Sequence, residues 1–424
     1  MIDIKLENVE HGLDHAQLKD AIYKSLNEWG KEPKKVLLIP PDFTRSHSCA
    51  GIITSIYYYI LKDRCEVNIM PALGTHMPMS DKEVTAMFGD DIPKSCFIDH
   101  RWREDIVKLG EVPGAFISDV SEGLLDRPID VEVNKRLVSG EYDLIISIGQ
   151  VVPHEVVGMA NYSKNIFVGC GGRHMIDGTH ILGAVYGLER MMGRDSTPVR
   201  KVLDYAQEHF ISSVPLLYVL TVTTQGEGQT LLNGLYIGNS RKTFERAVAL
   251  SQRLNLTFVD EPFNKVVVYL DEDEFKSTWL GNKAVYRTRM AIADGGELII
   301  LAPGVRQFGE DMEIDRLIRK YGYLGRDKVL KMLSENEDLM TSQSVAAHLI
   351  HGSSDGRFSI TYAVQHLSKE EIEGVNFKYM ALDEAYKKYN PRKLKDGYNT
   401  LKDGDVIYYI SNPALGLWAD KSRF

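Results

Sequence analysis

Short apolar runs of strand length alternate with segments of helical length along this chain, and this alternation constrains its fold more than any other feature. KVLLIP (35–40) has the continuous apolar character of a strand that is buried on both faces. A segment ending in IITSIYYYILKD follows with the length of a helix, and EVNIMPAL then reads as a second strand. This order predicts a parallel sheet flanked by helices. Further strands are predicted at DLIISIG (143–149), NIFVGC (165–170) and PLLYVLTVTT (215–224), and further helices at AVYGLERMM and TFERAVALSQRL.

A second series of the same kind begins after VDEPFN, where Pro262 and Asn264 interrupt the pattern. At 424 residues the chain also exceeds what one hydrophobic core usually supports. We therefore predict an α/β fold of two domains, each with a largely parallel sheet flanked by helices. The first spans residues 1–255, with 412–424 as a candidate to complete it, and the second spans 256–411. The strands predicted in the second domain are KVVVYL (265–270), ELIILAP (297–303) and DVIYYIS (405–411), with a helix at STWLGNKAVYRTRMAIA.

Composition excludes several classes of partner. The net charge of −9 and the lack of a dense basic run argue against nucleic acid. The polar N-terminus lacks the pattern of a secretory signal, and no apolar stretch reaches the ~18–20 residues that cross a bilayer. We expect a cytoplasmic protein without a membrane partner; composition leaves its oligomeric state open. Neither a zinc site nor a disulfide framework is indicated by the widely spaced cysteines Cys49, Cys65, Cys96 and Cys170.

Three histidine-bearing loops follow apolar runs: PALGTHMPM with His76, VVPHEVVG with His154, and the stretch from Ser163 to His180. Because a parallel sheet binds its ligand at the carboxyl ends of its strands, we expect these loops to converge on an active site. His76 and His154 titrate near neutral pH and could act as an acid/base pair on opposite faces of a substrate. Such a pair suits a reaction that interconverts mirror-image centres. Either histidine also fits a turn in which its ring is bonded to the backbone.

Other polar residues stand beside these loops. In PPDFTR, Arg45 could grip a carboxylate in bidentate fashion, while Asp42 could hold a ribose hydroxyl or orient a base. The alternative is an ordinary turn in which the aspartate caps a helix. Lys164 becomes a nucleophile if it is desolvated and is otherwise a surface lysine. His180, directly after Gly178 and Thr179, could bind a metal or cap a helix.

Taken together, the motifs resemble the lactate racemase family, the 2-hydroxyacid racemases and epimerases that depend on a nickel pincer nucleotide. The resemblance covers nearly the whole chain and rests on motifs in order. They are D-x-T-R at Asp42–Arg45, G-T-H-x-P-M at Gly74–Met79, P-H-x-x-x-G at Pro153–Gly158, a lysine ten positions after His154 at Lys164, and a histidine sixteen positions further on at His180.

The resemblance implies inversion at C2 of a 2-hydroxyacid by reversible hydride transfer, through a 2-keto acid. The implied cofactor is a pyridinium mononucleotide joined to a lysine through a thioamide, which cofactor-biosynthesis proteins must supply. It implies catalytic roles for His76 and His154, substrate binding by Arg45 and Lys283, and an active site in the crevice between the domains. The residues implied to hold the cofactor are Lys164, Asp42 and Thr44, with His180 as the nickel ligand.

The chain departs from the family pattern at two places. Gly158-Met159-Ala160-Asn161-Tyr162 replaces a glycine-rich G-F-S-G-G stretch, and Leu280 replaces a glutamine three positions before Lys283. Both changes favour an acid larger than lactate, such as a sugar acid, an aromatic acid or a dicarboxylate. His174, six positions before His180, is a rival nickel ligand.

Two functions from other classes remain open. A nicotinamide-dependent 2-hydroxyacid dehydrogenase would use Gly226-Glu227-Gly228, although that stretch lacks the third glycine of the dinucleotide fingerprint. A non-catalytic nickel or nucleotide carrier would keep Lys164 and His180 but would not need both catalytic histidines.

Overall fold

The computed structural model describes residues 2–226, 229–414 and 416–424. It divides into two compact units, which are described separately below. The N-terminal unit comprises Met1–Thr179 and Met192–Asn255, and the C-terminal unit comprises His180–Met191 and Leu256–Phe424. None of the described helices is long and apolar enough to cross a bilayer.

The N-terminal unit contains ten strands and seven α-helices among its described residues. Its last two strands form a long antiparallel hairpin. The strands are β1 (Asp3–Glu7), β2 (Lys35–Ile39), β3 (Glu66–Ile69), β4 (Ile106–Val112), β5 (Ile129–Asn134), β6 (Leu144–Gln150), β7 (Pro153–His154), β8 (Gly158–Met159), β9 (Leu216–Gly226) and β10 (Gln229–Gly238). The helices are α1 (His15–Trp29), α2 (Ala50–Leu61), α3 (Asp81–Phe88), α4 (Gly114–Val120), α5 (Arg173–Tyr186, which continues into the C-terminal unit), α6 (Pro198–Phe210) and α7 (Arg241–Asn255).

Six of these strands form one sheet in the order β1-β10-β9-β6-β2-β3. The four strands from β9 to β3 are parallel, and β10 and β1 extend the sheet in antiparallel fashion. Consecutive residues of β2 point to opposite faces of the sheet, and those on both faces are buried, as expected for a parallel strand covered by helices. On one face Val36 and Leu38 share a core with Ile53 and Tyr57 of α2. The chain leaves β2 towards β3 on one side and later adds β6 on the other, so β2 and β6 flank the switch point where such sheets bind ligands.

The C-terminal unit has a second six-stranded sheet, in the order β15-β14-β13-β12-β17-β16, in which only the β16–β17 pairing is antiparallel. Its strands are β11 (Leu256–Val259), β12 (Phe263–Tyr269), β13 (Ile292–Leu301), β14 (Ser359–Val364), β15 (Lys378–Ala381), β16 (Gly397–Thr400), β17 (Val406–Ile410) and β18 (Leu417–Asp420). Its helices are α8 (Thr278–Gly281), α9 (Lys283–Thr288), α10 (Met312–Tyr321), α11 (Arg326–Glu335), α12 (Glu337–Met340), α13 (Gln343–His351), α14 (Lys369–Gly374) and α15 (Leu382–Lys388). The predicted α/β class, with two largely parallel sheets flanked by helices, is confirmed.

Four predictions about individual segments require correction. The helix predicted at AVYGLERMM does not form as one element, because α5 ends at Tyr186 and Gly187, with a φ of 106°, separates it from a short 3-10 helix at Leu188–Arg190. NIFVGC is not a strand: Asn165–Gly169 forms a π-helical turn, because a short buried apolar run fits either structure. The tail, considered as a completion of the first domain, instead forms β18, which pairs in parallel with β11 of the C-terminal unit. The helix predicted around STWLGNKAVYRTRMAIA is two short helices, and the segment after them begins β13 at Ile292.

Candidate active site

The segments that follow β2 and β3 run side by side beyond the ends of the strands. The amide of Ala72 donates to the carbonyl of Pro40 over 2.8 Å, and Pro41 and Ala72 form an isolated parallel bridge. The pairing therefore continues past the sheet edge and brings the D-x-T-R and G-T-H motifs together. The result is a direct contact between residues 34 positions apart, in which the Nδ1 atom of His76 lies 2.5 Å from a carboxylate oxygen of Asp42.

Asp42 is a buried carboxylate whose two oxygens have separate partners. One oxygen accepts hydrogen bonds from the backbone amide and the hydroxyl of Thr44, at 3.1 and 2.5 Å, and the other contacts His76. Burial by itself raises the pKa of this carboxyl. The charge of His76 and its hydrogen bond, the hydrogen bond from Thr44 and the charge of Arg45 outweigh burial, so the pKa of Asp42 lies below its usual range. Asp42 is thus a fixed negative charge behind the His76 ring.

The contact with Asp42 determines which nitrogen of His76 can exchange a proton. Because a carboxylate only accepts hydrogen bonds, Nδ1 carries the hydrogen and Nε2 is the nitrogen that takes up or releases a proton. The His76 side chain is about a third exposed, at 36%. Its loop is fixed by Gly74, whose φ of 58° favours glycine and whose amide donates to the carbonyl of Gly169 over 2.8 Å. This arrangement suits a general base.

His154 is more buried than His76 and has a different partner. It ends β7, which pairs with β8 in a tight antiparallel hairpin, and only 5% of the residue is exposed. Its Nδ1 atom accepts a hydrogen bond from the backbone amide of Val156 over 3.1 Å, so the neutral ring carries its hydrogen on Nε2. The carboxylate of Glu155 lies 3.7 Å from Nδ1, beyond hydrogen-bond distance, as a nearby negative charge. As a general acid this ring would have to carry a second proton, on Nδ1, and would then lose the hydrogen bond from Val156.

Lys164 directly precedes the π-helical turn and is half-buried. Burial, with the positive charge of Arg45, lowers the pKa of Lys164 to about 8. The charge of Arg200 acts in the same direction, and the charges of Glu155 and Asp42 oppose it. About a tenth of such amines are neutral at pH 7, far more than for an ordinary lysine. Lys164 therefore differs from an ordinary surface lysine in its burial and its lowered pKa, as a nucleophilic lysine would.

Asn165 ties the lysine segment to the sheet. Its side-chain amide donates to the hydroxyl of Ser147 in β6, over 2.9 Å, and to the carbonyl of Ile39 at the end of β2, over 3.3 Å. Nothing in the sequence distinguishes this role of Asn165, since it is one asparagine beside an apolar run. Its bonds explain why Lys164 lies beside the end of β2 and the middle of β6, the two strands that flank the switch point.

Arg45 presents an unused donor. It is half-buried, and its Nη1 atom is buried without a hydrogen-bond partner among the described residues. A buried guanidinium donor without an acceptor lowers the stability of the fold, and an anionic ligand would supply the missing acceptor. The charge of Arg45 also acts on Asp42 and Lys164, so a cationic group that could bind a carboxylate belongs to the same cluster.

The segment that replaces the family's glycine-rich stretch does not line a substrate pocket as expected from the sequence. Tyr162 is buried, with its ring centroid 4.3 Å from that of Tyr218 and 5.2 Å from that of Phe244. Asn161 is also buried, and its side-chain oxygen accepts from the amide of Tyr162. Asn161 and Tyr162 nonetheless keep positive φ angles of 66° and 57°, the conformation that glycine adopts most easily. The change is therefore one of packing.

The C-terminal unit carries the remaining predicted residues. Lys283 begins α9, with its amine 3.8 Å from a carboxylate oxygen of Glu274 and 5.2 Å from the ring centroid of Phe275. Both partners lie in the segment after β12, at the carboxyl end of the second sheet. Leu280 lies in α8, and its amide bonds to the Ser277 hydroxyl that caps this short helix. Lys283 therefore has a defined, largely buried setting, with 12% of its side chain exposed.

His180 lies inside α5 and not at its start, so it does not cap a helix. The six positions between His174 and His180 place them about 120° apart around the helix axis. His174 is occupied by Glu132, which accepts from its backbone amide and contacts its Nδ1 atom at 2.7 Å. Asp130 completes a cluster of possible metal-binding atoms with these two residues. His180 stays the predicted nickel ligand, and His174 is better explained by its bond to Glu132.

Comparison with known proteins identifies a matching family model and similar folds. Residues 5–191 match the family model described as the lactate racemase N-terminal domain. A solved structure of a Thermotoga maritima protein is 26% identical, with 98% of this chain and 100% of that chain covered and a TM-score of 0.83. The lactate racemase apoprotein from Thermoanaerobacterium thermosaccharolyticum matches over the same shares with a TM-score of 0.70, and at 17% identity it supports the fold alone. Comparison with curated proteins finds no match.

Proposed function

Because this chain belongs to the lactate racemase family through its N-terminal domain, residues 5–191, we propose that it is a racemase or epimerase that inverts C2 of a 2-hydroxyacid. The observation that carries the proposal is a cluster at the ends of neighbouring parallel strands. It combines an aspartate-oriented histidine, an arginine with an unused donor and a lysine of lowered pKa. A carboxylate-bearing substrate and a covalently attached electrophile both suit this cluster.

The residues fit the cofactor that the family uses. The neutral amine of Lys164 could form a thioamide with the thiocarboxyl group of a pyridinium nucleotide, and His180 would supply the one imidazole that nickel needs beside the cofactor's own donors. The N-cap turn of Asp42 and Thr44 is the proposed neighbour of the nucleotide. When bound, the cofactor would accept the C2 hydrogen as hydride and return it to either face of the resulting 2-keto acid.

The protein's own groups would bind the substrate and move its hydroxyl proton. Arg45 would hold the carboxylate through the donor that is otherwise unused. As C2 loses hydride, the hydroxyl oxygen must lose a proton, and Nε2 of His76 would take it. On the return, His154 in its doubly protonated, positively charged form would give its Nε2 proton to the carbonyl oxygen and become neutral, and the product would have inverted configuration. Lys283 is proposed to add positive charge near the developing alkoxide or the cofactor phosphate.

The proposed substrate class depends on where the sequence departs from the family pattern. Since Tyr162 and Asn161 are buried, the proposal of an acid larger than lactate now depends on Leu280 alone. An aldonate, an aromatic acid or a dicarboxylate remains the proposed class.

The fold does not place the glycine-rich stretch at Gly226 where a dehydrogenase would need it. Gly226 ends β9 and Gln229 pairs with it at the start of β10, so the segment connects two antiparallel strands. A dinucleotide fingerprint instead needs a turn from a strand into a helix. Glu227 and Gly228 lie outside the described residues. The carrier alternative leaves the Asp42–His76 pair without a purpose.

Protein co-expressed with cofactor-building enzymes tests the proposal. Intact mass should show an adduct that Lys164→Ala lacks and that the exposed control Lys201→Ala keeps. The modified protein should invert at least one 2-hydroxyacid in a chiral screen of lactate and larger acids. An adduct on another lysine, or no inversion by adduct-bearing protein across the screen, would overturn the proposal.

The nickel assignment has its own test. His180→Ala should lose most of the bound nickel and keep the adduct mass, because the other donors belong to the cofactor. Loss of nickel from His174→Ala, with retention by His180→Ala, would reverse the assignment.

A further inference from the structure

Arg200 is a buried arginine that bonds to the segment between His154 and Lys164. It lies in the first turn of α6 and is 1% exposed. Its guanidinium rests 4.4 Å from the ring centroid of Phe244, which covers one face of the group. Burial of an arginine to this extent is rare unless its donors meet several acceptors.

Three of those acceptors belong to one short stretch of chain. One terminal nitrogen of Arg200 donates to the carbonyl of Met159 over 2.7 Å and to the carbonyl of Asn161 over 3.1 Å. The other donates to the hydroxyl of Ser163 over 2.7 Å. The contacts fall on alternate residues, and the last of them is adjacent to Lys164. A single planar group therefore fixes the path of the backbone immediately before the lysine.

This path needs external support. Asn161 and Tyr162 are consecutive non-glycine residues with positive φ, a conformation that such residues keep only when their surroundings impose it. The start of α6 supplies additional anchors to the same segment. Thr197, the N-cap of the helix, donates to the carbonyl of Val157 over 3.0 Å, and its hydroxyl also accepts from the amide of Arg200.

We propose that Arg200 is a positioning residue, which locks Met159–Ser163 in its strained turn and places a buried positive charge beside Lys164, so that the amine is held in position for attachment of the cofactor. The proposal rests on the proposed function for its final clause only. The lowered pKa of Lys164, to which the Arg200 charge contributes, supports it. The other charges that act on the amine are Arg45, Glu155 and Asp42.

The structure offers a matched control. Arg241 also contacts Phe244, at 5.0 Å, and bonds to Asp204, which accepts from the Ser163 hydroxyl. No hydrogen bond from Arg241 to Met159–Ser163 is present among the described residues. Arg241→Lys therefore disturbs the same surroundings and leaves the turn and its three acceptors bonded to Arg200.

The first experiment uses the complete chain without cofactor. Reductive methylation of Lys164, followed by peptide mass spectrometry over pH 6–10, reports the pKa of the amine, and hydrogen exchange reports the order of residues 159–164. We expect Arg200→Met to raise the midpoint for Lys164 and to speed exchange in this segment. Each pH unit by which the midpoint rises would lower the neutral fraction of the amine at pH 7 about tenfold, and the labelling rate would fall with it.

Arg200→Lys separates the two effects and keeps the proposal testable if Arg200→Met does not fold. Its ammonium retains the charge but cannot match the planar fork, so exchange should accelerate with a smaller change in midpoint. Arg241→Lys should resemble the wild type in both measurements. Unchanged exchange and unchanged midpoint in a folded Arg200 variant would overturn the proposal, as would equal effects in Arg241→Lys.

The final step is formation of the adduct in cells that build the cofactor. We expect a lower adduct fraction in the Arg200 variants than in Arg241→Lys. If the wild type also forms no adduct while exchange and midpoint shift as expected, the proposed function fails and the positioning role stands. If every variant forms the adduct as the wild type does, the clause on attachment is wrong and the proposed function is untouched.

Discussion

His76 and His154 follow β3 and β6, which lie on either side of β2 in one sheet, but their surroundings prepare them differently. The ring of His76 is oriented by the carboxylate of Asp42 and is about a third exposed. The ring of His154 is buried and accepts a backbone hydrogen bond from Val156, with Glu155 further away. The neutral form of the first ring therefore has its hydrogen on Nδ1, and that of the second has its hydrogen on Nε2.

This difference teaches that two residues of one type need not be interchangeable in a reaction that is formally symmetric. In either role His76 can act at Nε2 while Nδ1 keeps its hydrogen towards Asp42. His154 differs, because either role at Nε2 places a hydrogen on Nδ1, where Val156 now donates, and the acid role also requires a positive charge on the ring. We therefore expect the two enantiomers to react at different rates, since only one of them needs His154 in its charged form.

The largest expected effect comes from removal of either ring. His76→Ala and His154→Ala should each lower net inversion in both directions by roughly 10²–10⁴-fold, as for a positioned acid or base. One half-reaction should survive in each variant, and with opposite enantiomers, because only one ring faces each hydroxyl group. Single-turnover absorbance of adduct-bearing protein measures it. His11→Ala, at an exposed position, serves as the control, and near-wild-type inversion in either variant would contradict the two-histidine scheme.

The next effect should come from Asp42→Asn, which retains the size of the side chain but removes its charge. The His76 ring then loses the partner that stabilises its protonated form, so inversion should fall by roughly a hundredfold, at the lower end of the range for acid/base catalysis. The loss should be greater for the enantiomer that uses His76 as the base. Steady-state rates for both enantiomers measure this. Equal losses in the two directions would show that Asp42 supports the site as a whole and not His76 in particular.

A smaller effect is expected from Glu155→Gln. The Glu155 side chain is about a quarter exposed and lies 3.7 Å from the ring, so its charge should contribute on the order of 1 kcal/mol, or about fivefold in rate. The effect should be concentrated in the direction that requires a charged His154. Glu10→Gln, at an exposed position, is the matched control. A larger loss from Glu155→Gln than from Asp42→Asn would reverse the comparison between the two histidines.

Much of this fold could be predicted because its parallel strands are long apolar runs. KVLLIP and DLIISIG are buried on both faces, and such runs have few alternatives once helices separate them. NIFVGC failed because five buried residues fit a helical turn as well as a strand, and because two bonds from Asn165 to the sheet decide between them. Long-range contacts of that kind leave no trace in local periodicity.

The candidate site was predictable as a set of residues but not as a set of contacts. Asp42 and His76 were each selected from their motifs, but their bond depends on pairing of the chain beyond β2 and β3. Arg200 could not be selected, since one arginine in an amphipathic helix resembles any exposed one. Tyr162 shows the opposite error, because the change at residues 158–162 was interpreted as favouring a larger substrate, whereas the Tyr162 side chain is buried.

The smallest effect is expected from a third histidine, His100. It affects the stability of the fold at low pH, which must be separated from any loss of activity there. His100 is buried, with Nε2 3.1 Å from the carbonyl of Gly171 and Nδ1 3.1 Å from the side-chain amide of Asn134. It thus has the same neutral form as His154, but its Nε2–H is committed to the backbone. Burial lowers the pKa of His100 to about 4, against a partial opposing effect from Gly171 and Asp105.

The sign of the resulting pH dependence follows from this pKa. Below about pH 6.5 the unfolded chain binds a proton at His100 that the folded chain does not bind until about pH 4. The free energy of unfolding should therefore be unaffected at pH 8 and lower by about 2 kcal/mol at pH 5 through this residue alone. Urea unfolding at both pH values should show a smaller pH difference in His100→Gln than in the wild type, with His11→Gln unchanged. Equal pH differences in all three proteins would show that His100 does not contribute to the acid sensitivity of folding. Any loss of inversion activity at pH values where the protein is still folded could then be assigned to His76 and His154.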